Sequence, residues 1–316
     1  MPISPFHDGE LALQRSAGSL ARLAEVGPRF IRDHMPEQHR EFFVQLPFLV
    51  AGGLDAHGQP WASVLAGPSG FAHSPDPWQL VVQARPWPGD PLAPALQVGA
   101  PLALLGIQPH TRRRNRLNGH VTHSDEAGFV LRVDQSFGNC PKYIQAREPE
   151  FAPASARPGA IRRHDALDAA ALRMVRSADT FFIATAHPMA SRSDRPAFGV
   201  DVAHRGGKPG FVRADGRLQL TVPDFAGNLY FNTLGNVALN PRCGLLFIDF
   251  ERGDLLYLAA RGEIVADGPE VEAFQGAQRL LRLQVDATLQ VAAALPLRWS
   301  APEPSPALEQ TGHWGP

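Results

Sequence analysis

Long apolar runs are missing from this sequence: no stretch of its 316 residues approaches the ~18 consecutive apolar residues that cross a bilayer. Residues 1–18 also lack the basic and apolar regions of a signal peptide, so we expect a cytoplasmic protein that does not bind membranes. Cysteine is scarce. We expect the two thiols, Cys140 and Cys243, to be free, because disulfides are rare in cytosolic proteins.

An excess of positive charge is missing as well. The 30 Lys and Arg residues are balanced by 31 Asp and Glu residues, which gives a net charge of −1. Nucleic-acid-binding proteins ordinarily carry a basic face, so this balance argues against that class. Only two of the basic residues are lysines, Lys142 and Lys208, and both lie in turns that contain Gly or Pro. They suggest sites that need a compact ammonium group, although chance explains them equally well.

Proline, by contrast, is abundant. The 30 prolines are spread among short apolar runs, which indicates frequent turns in a β-rich protein rather than disorder. Residues 8–26 have the spaced leucines of an amphipathic helix, with Asp8 as a candidate cap. From residue 43 onwards, apolar runs alternate with Gly, Pro and Asp, which is typical of strands and hairpins. We therefore predict a mainly β protein with short helices, of the α+β class.

The second half of the sequence repeats the order of elements in the first half. Four short matches run in the same order: Gly70-Phe71 with Gly210-Phe211, residues 104–107 with 245–248, Gly119 with Gly262, and Val133-Asp134 with Val285-Asp286. Together they indicate an internal duplication of a six-stranded β unit. The predicted division is an N-terminal helical segment (1–42), a first barrel (43–150), a linker (151–164), a second barrel (165–300) and a Pro-rich tail (301–316). We expect the tail to be poorly ordered.

The loop formed by residues 203–211 combines His204, Arg205 and Lys208 with two adjacent glycines. Glycines let backbone N–H groups approach a phosphate, while the guanidinium offers a bidentate fork and the ammonium a point charge. The sequence thus predicts a phosphate-binding loop. An ordinary hairpin turn with solvated charges is the alternative.

Four asparagines recur at four-residue spacing in the second half: Asn228, Asn232, Asn236 and Asn240. On a helix they lie along one face, where their amides could meet a phosphate or a ribityl chain near its N-terminus. We predict ligand contacts from Thr233 and from the first three asparagines, with capping and turn formation as the alternative role. Residues 90–99, the matching stretch of the first half, lack such a polar set. We therefore expect one cofactor per chain.

Two further clusters of charged side chains are open to more than one interpretation. Residues 112–116, with the sequence RRRNR, place Arg112, Arg114 and Arg116 on one face of a hairpin. A solvated edge is the favoured role for them, and contact with an anion or substrate is the alternative. The histidines of the pair His120 and His123 point to opposite faces of a strand, and we expect no metal site.

These motifs resemble the FMN-binding split-barrel proteins related to pyridoxamine 5′-phosphate oxidase, and in particular a flavin-nucleotide-binding branch of that family. The resemblance runs from about Phe6 to Trp299 and is carried by residues 6–18, 136–147, 199–211 and 222–250. It implies two tandem split β-barrels of the FMN-binding type after the N-terminal helix. It also implies one FMN at an interface between barrels, formed within one chain as a pseudo-dimer or in a homodimer.

The resemblance further implies an FMN-dependent oxidoreductase acting on a small molecule, with the phosphate loop in the second barrel and a degenerate first barrel. Lys142 and Tyr143 become candidates to flank the flavin or a substrate, while structural packing is favoured for Cys140. No catalytic acid or base can be named. The alternative is a flavin-binding or electron-carrier module that works with a partner protein. Haem binding, through His34, His39 or His164, has less support.

Overall fold

The chain opens with three helices, α1 (Asp8–Ser16), α2 (Leu20–Phe30) and α3 (Glu37–Val44). The computed structural model describes residues 4–315. The single helix predicted over residues 8–26 is two helices, because Gly18 adopts a φ of +67° and turns the chain between them. None of the helices within residues 4–315 is long and apolar enough to cross a membrane.

The start of α1 differs from the prediction in its cap. His7, and not Asp8, is the N-cap residue: its Nδ1 accepts a hydrogen bond from the backbone N–H of Gly9. The side chain of Glu10 in turn accepts the backbone N–H of His7, at 2.8 Å, which completes a capping box. Two buried side chains therefore fix where this helix begins.

The first half forms a seven-stranded antiparallel sheet. Its strands are β1 (Phe48–Leu54), β2 (Pro60–Ala66), β3 (Ala72–His73), β4 (Gln79–Val82), β5 (Pro101–Gln108), β6 (Arg113–Ser124) and β7 (Phe129–Gly138), in the order β2-β1-β5-β6-β7-β4-β3. Helix α3 covers one face, where Phe42 and Phe43 pack with Leu104 and Leu117 in a core that excludes water.

The second half contains the remaining elements. They are β8 (Pro149–Phe151), β9 (Arg162–His164), α4 (Ala169–Ser177), β10 (Thr180–Ala186), β11 (Val200–Gly206), β12 (Arg213–Asp215), β13 (Gln219–Phe225), α5 (Asn232–Leu239), β14 (Arg242–Ile248), β15 (Leu255–Val265), α6 (Pro269–Glu272), β16 (Ala277–Val291) and β17 (Leu297–Trp299). Strands β10 to β16 form the second sheet, in the order β11-β10-β14-β15-β16-β13-β12, and β9 pairs with β16. Strands β8 and β17 pair with each other.

The two sheets have the same strand order and the same register. Each strand of the first sheet has a counterpart in the second, from β1 and β10 to β7 and β16. Leu104 faces Leu117 in the first sheet, and Leu245 faces Leu258 in the second. The sequence match of residues 104–107 with 245–248 therefore joins structurally equivalent positions.

One of the four sequence matches is displaced by two residues. Gly119 faces Val133 in the first sheet, whereas Ala260 faces Val285 in the second, so the counterpart of Gly119 is Ala260 and not Gly262. The two positions require glycine for different structural reasons. Gly119 lies at a β-bulge where the neighbouring strand leaves no room for a Cβ, while Gly262 lies directly against α5.

The fold is thus mainly antiparallel β with few helices. Each sheet is an open path: within residues 4–315 no hydrogen-bonded ladder joins the two end strands of either sheet. Each half has its own apolar core, and a third core lies between the halves, where Val50 and Leu105 pack with Val202 and Leu246.

The expectation of a poorly ordered tail is wrong. Trp314 Nε1 donates to the carbonyl oxygen of Phe211 at 2.8 Å, and the indole ring packs edge-on against Phe274. Lys208 Nζ donates to the carbonyl oxygen of Thr311 at 2.6 Å. The tail contains a short 3-10 helix (Pro306–Gln310), and its apolar side chains bury area against the rest of the chain.

Candidate functional site

A cleft opens where strand β6 of the first half meets β11, β13 and α5 of the second half. It encloses about 690 Å³, including open solvent at its mouth. The first half contributes Arg114, Arg116, Asn139 and Cys140, and the second half contributes the rest of the lining, including residues 224–229 and 231–234. Both halves are therefore needed to form the cleft within one chain.

Four arginines dominate the lining of the cleft: Arg114, Arg116, Arg205 and Arg279. Two of them share the carboxylate of Asp224, with Arg205 NH1 at 2.8 Å from Oδ1 and Arg279 NH1 at 3.4 Å from Oδ2. Arg116 NH1 lies 2.8 Å from Oδ1 of Asp201, just behind the wall. Four guanidinium groups therefore face two carboxylates, which leaves an excess of positive charge.

Arg114 has no carboxylate partner among the residues the structure describes. Its Nε donates to the carbonyl oxygen of Cys140 at 2.7 Å, and its NH1 reaches that of His204 at 3.5 Å. Burial, together with the neighbouring charges of Arg116 and Arg205, lowers the pKa of Arg114 to about 9. An anion in the cleft would relieve the repulsion among these cations.

His204 forms part of the cleft wall and stays neutral. Its side chain is buried, its ring meets Phe182 edge-on, and within residues 4–315 no hydrogen bond to the ring is present. Burial first, and then the charges of Arg114 and Arg205, hold the pKa of His204 well below its usual range. The neutral imidazole offers one donor and one acceptor to a bound molecule.

Helix α5 begins in the cleft without a side-chain cap. Its N-cap residue, Phe231, has a left-handed φ of +64°, and among the described residues no side chain accepts hydrogen bonds from the first turn. Asn232, Thr233 and Leu234, the first three helical residues, all line the cleft. Unpaired N–H groups and the positive end of the helix dipole make this terminus attractive to an anion.

Buried polar side chains form a network behind the cleft wall. Asp201 accepts hydrogen bonds from Arg116 NH1, from Asn118 Nδ2 at 2.9 Å and from Asn236 Nδ2 at 3.3 Å. Asn232 Oδ1 accepts a hydrogen bond from Arg116 NH1 at 3.1 Å. Arg116, only 5% exposed, is thus held from two sides, while its Nε has no partner within residues 4–315.

The structure brings five of the nine predicted site residues into the lining of this cleft: His204, Arg205, Asn228, Asn232 and Thr233. Tyr143 lies just outside, where its OH donates to the carbonyl oxygen of Ala226 at 3.2 Å and its ring packs on Phe225. The remaining three lie elsewhere. Asn236 is buried behind the wall, Lys142 is exposed, and Lys208 turns away to the tail.

Sequence reasoning missed two cations of the cleft, Arg114 and Arg116. The interpretation of residues 112–116 as a solvated edge is wrong for Arg114 and Arg116, because the face they share is covered by the second half of the chain. Alternation along a strand correctly places them on one face. Nothing local in the sequence shows that this face is buried, although the unusual density of arginines was a signal.

The histidines considered as haem ligands do not line the cleft. His39 is buried, with Nδ1 at 2.9 Å from the hydroxyl of Ser136, while His34 and His164 are solvent-accessible and pair with neighbouring aspartates. Within residues 4–315 no three His, Cys, Asp or Glu side chains are grouped so that they could hold a metal ion.

No protein-family model matches the chain, and no curated protein does. Partial similarity is found to solved structures. HupZ from Group A Streptococcus, as a variant, matches with 12% identity and a TM-score of 0.30 over 39% of this chain and 98% of its own. A pyridoxamine 5′-phosphate oxidase candidate from Lactobacillus delbrueckii matches with 11% identity and a TM-score of 0.29, over 40% and 94%. An FAD-binding protein from Mesorhizobium loti matches with 12% identity and a TM-score of 0.28, over 42% and 98%.

Proposed function

We propose that the chain binds FMN in this cleft, with the phosphate between the first turn of α5 and the guanidinium groups of Arg116 and Arg205. The observation that supports the proposal is the convergence of four arginines and an uncapped helix N-terminus on one cleft that holds far less negative charge. Guanidinium groups and helix N-termini are the groups with which proteins bind phosphate.

The residues present fit a terminal phosphate. Counting the pairs with Asp201 and Asp224, the four guanidiniums leave an excess of two positive charges, which matches a phosphate monoester dianion. Behind Arg116 lie the buried side chains of Asp201, Asn118 and, beyond Asn232, Glu10 of α1, so an anion beside Arg116 would face protein and not solvent on that side. This favours FMN, whose phosphate is terminal, over FAD, whose phosphates lie within the molecule.

The same proposal includes the architecture. We infer that the halves are tandem copies of one split-barrel unit that pair within the chain, because their strand order and register agree. The cleft lies between copies, as expected for a pseudo-dimer. A homodimer could add surface to its mouth but is not needed to form its walls.

Bound flavin would supply hydride or electron transfer, and the protein would supply binding, orientation and exclusion of water. We therefore propose an FMN-dependent oxidoreductase acting on a small molecule. His204 and Tyr143 are available at the cleft to orient a ring or a substrate, and neither needs to change protonation state to do so. An electron-carrier module remains the second candidate, distinguished by its need for a separate reductase.

An absorbance spectrum of the purified protein, followed by mass analysis of the released small molecule, tests the proposal. We expect flavin absorbance and about one FMN per chain. Reduction of that flavin by NAD(P)H alone would support the enzyme, and reduction only with a separate reductase would support the carrier. A colourless protein that does not bind added FMN, or a Soret band, would overturn the proposal.

A further inference from the structure

The N-terminal segment packs against the wall of the cleft. Phe6 meets Tyr230 edge-on, with ring centroids 5.5 Å apart. Gln14 Nε2 donates to the carbonyl oxygen of Tyr230 at 3.2 Å. The N-terminal segment thus holds the chain directly before α5 at both ends of α1.

Between these two contacts, α1 and α5 touch at backbone distance. A Cβ added to Gly9 would overlap the carbonyl oxygen of Gly235, and a Cβ added to Gly235 would overlap Glu10. Two glycines at facing positions thus let the helices approach until main chain meets main chain. This approach brings Glu10 of α1 to the first residue of α5.

Glu10 is 2% exposed and reaches the anion site through one intermediary. One of its carboxyl oxygens accepts the backbone N–H of His7, and the other accepts Asn232 Nδ2. Asn232 Oδ1 then accepts from Arg116 NH1 at 3.1 Å. The carboxyl group is therefore connected to the buried guanidinium by a single side-chain amide.

Only one arrangement of donors and acceptors fits this series of hydrogen bonds. Arg116 can only donate, so Asn232 must turn its oxygen toward it and its NH₂ group toward position 10. The residue at position 10 must then accept twice, from that NH₂ group and from the N–H of His7. A carboxyl group offers one oxygen to each donor, whereas a carboxamide would turn its NH₂ group toward one of them.

We propose that Glu10 is a positioning residue of the anion site, fixing the orientation of Asn232 and through it the place of Arg116 beside the first turn of α5. The inference rests on the proposed function, since it assigns a role to a residue that would not touch the ligand. Burial, and secondly the charge of Asp201, hold the pKa of Glu10 well above its usual range. The N–H of His7, the NH₂ group of Asn232 and the charge of Arg116 act on this pKa in the opposite direction.

The variant Glu10→Gln tests the proposal, with binding of FMN and of riboflavin measured side by side. The carboxamide introduced by this change cannot accept from both donors, so Asn232 either loses its partner or turns its NH₂ group toward Arg116. We expect FMN affinity to fall about tenfold, or about 1.4 kcal/mol, while riboflavin affinity stays unchanged because riboflavin has no phosphate. A general loss of stability would weaken both ligands alike.

Two matched controls lie on the same helix. Asp8→Asn removes an exposed acid from the same first turn, and Gln14→Leu loosens the docking of α1 without touching Asn232. Both should keep the wild-type ratio of FMN to riboflavin affinity. Should the Glu10→Gln protein fail to fold, Asn232→Ser, which removes the bridge but retains Glu10, is expected to show the same selective loss.

The outcomes separate this inference from the proposed function. If wild-type protein binds FMN no more tightly than riboflavin, the phosphate site itself is wrong. If wild-type protein prefers FMN and the Glu10→Gln protein keeps the full preference, the phosphate site stands and the positioning role of Glu10 is refuted.

Discussion

The cationic cleft has a counterpart at the equivalent place of the other half, and the two differ in chemistry while sharing their backbone. The register of the two sheets matches three of the four cleft arginines with residues that carry no charge: Arg114 with Leu255, Arg116 with Tyr257, and Arg205 with Leu65. Equal topology therefore does not produce equal sites. A few side chains at equivalent positions decide which of the two can receive an anion.

The counterpart region is filled by side chains of its own. Tyr257, completely buried, donates to Asp90 Oδ2 at 2.7 Å and accepts from Trp87 Nε1 at 2.8 Å. Ser63 donates to the same carboxyl oxygen of Asp90. The polar groups satisfy one another, so this region is a closed structural cluster, whereas the cleft keeps donors without partners.

The largest effect is expected from Arg116→Met, which gives the cleft an uncharged residue like that of its counterpart. Asp201 would be left buried without its ion pair, and we expect the unfolding free energy to fall by about 3–5 kcal/mol. FMN affinity should fall about 100-fold, which corresponds to about 2.7 kcal/mol. Chemical denaturation and flavin titration measure the two losses.

A double variant separates the two losses. Adding Asp201→Asn to Arg116→Met removes the unpaired charge, so stability should largely return while FMN affinity stays low. Recovery of FMN binding in the double variant, or wild-type affinity in the single one, would contradict a role for Arg116 in the anion site.

Two buried groups, one from each region, should respond to acid with opposite signs. Burial lowers the pKa of His7, behind the cleft, to about 4. As the pH falls from 6.5 to 4, the unfolded chain binds a proton at His7 that the folded chain does not bind, so the folded state loses about 3 kcal/mol of stability. Burial raises the pKa of Asp90 to about 6, so Asp90 contributes about 3 kcal/mol of stability below pH 4 that is lost as the pH rises to 6.

Urea denaturation between pH 4 and 7 tests this opposition. His7→Asn keeps a good helix cap but does not titrate, so its stability should fall less steeply with acid than that of the wild type. Asp90→Asn should fall more steeply. Identical pH profiles for the three proteins would show that these two groups do not titrate as their burial implies.

A smaller effect on FMN affinity should distinguish Arg205 from Lys208, which the sequence places in one loop. Arg205→Met removes a guanidinium from the cleft, and we expect FMN affinity to fall about tenfold. Lys208→Met removes an ammonium that is bonded to the tail, so its FMN affinity should match the wild type. The reverse result would restore the phosphate loop as the sequence predicts it and move the anion site out of the cleft.

The smallest effect is expected at the counterpart, from Tyr257→Phe. The change removes a hydroxyl that bonds Asp90 and Trp87, and we expect a loss of about 1 kcal/mol in unfolding free energy. FMN affinity and stoichiometry should not change. A lowered FMN affinity would mean that the filled region and the cleft are coupled rather than independent.

Much of the fold could be predicted from local pattern. The β class, the short helix after residue 231 and the repeated order of strands all follow from apolar spacing and turn residues, which act within a few residues. The site could be predicted in part. Arg205 and Asn232, which line the cleft, were predictable because a Gly-rich loop and a polar helix start are also local signals.

The rest depends on contacts between distant segments. Arg114 and Arg116 belong to the site only because the second half covers their face of β6, and Lys208 leaves it because the tail returns to that surface. Glu10 is 222 residues from Asn232 in sequence. No periodicity or spacing expresses such contacts, which arise from the packing of the halves.

The apolar core between the halves bears on how this protein folds. Its members come from both sheets, and the halves also meet at main-chain distance, since a Cβ on Gly244 would overlap the carbonyl oxygen of Pro60. A half taken alone would expose this core to water, so the smallest cooperative unit is the pair. We therefore expect the two halves, which share one strand order, to unfold in a single melting transition. The filled region then serves as structural support for the half that presents the cationic cleft.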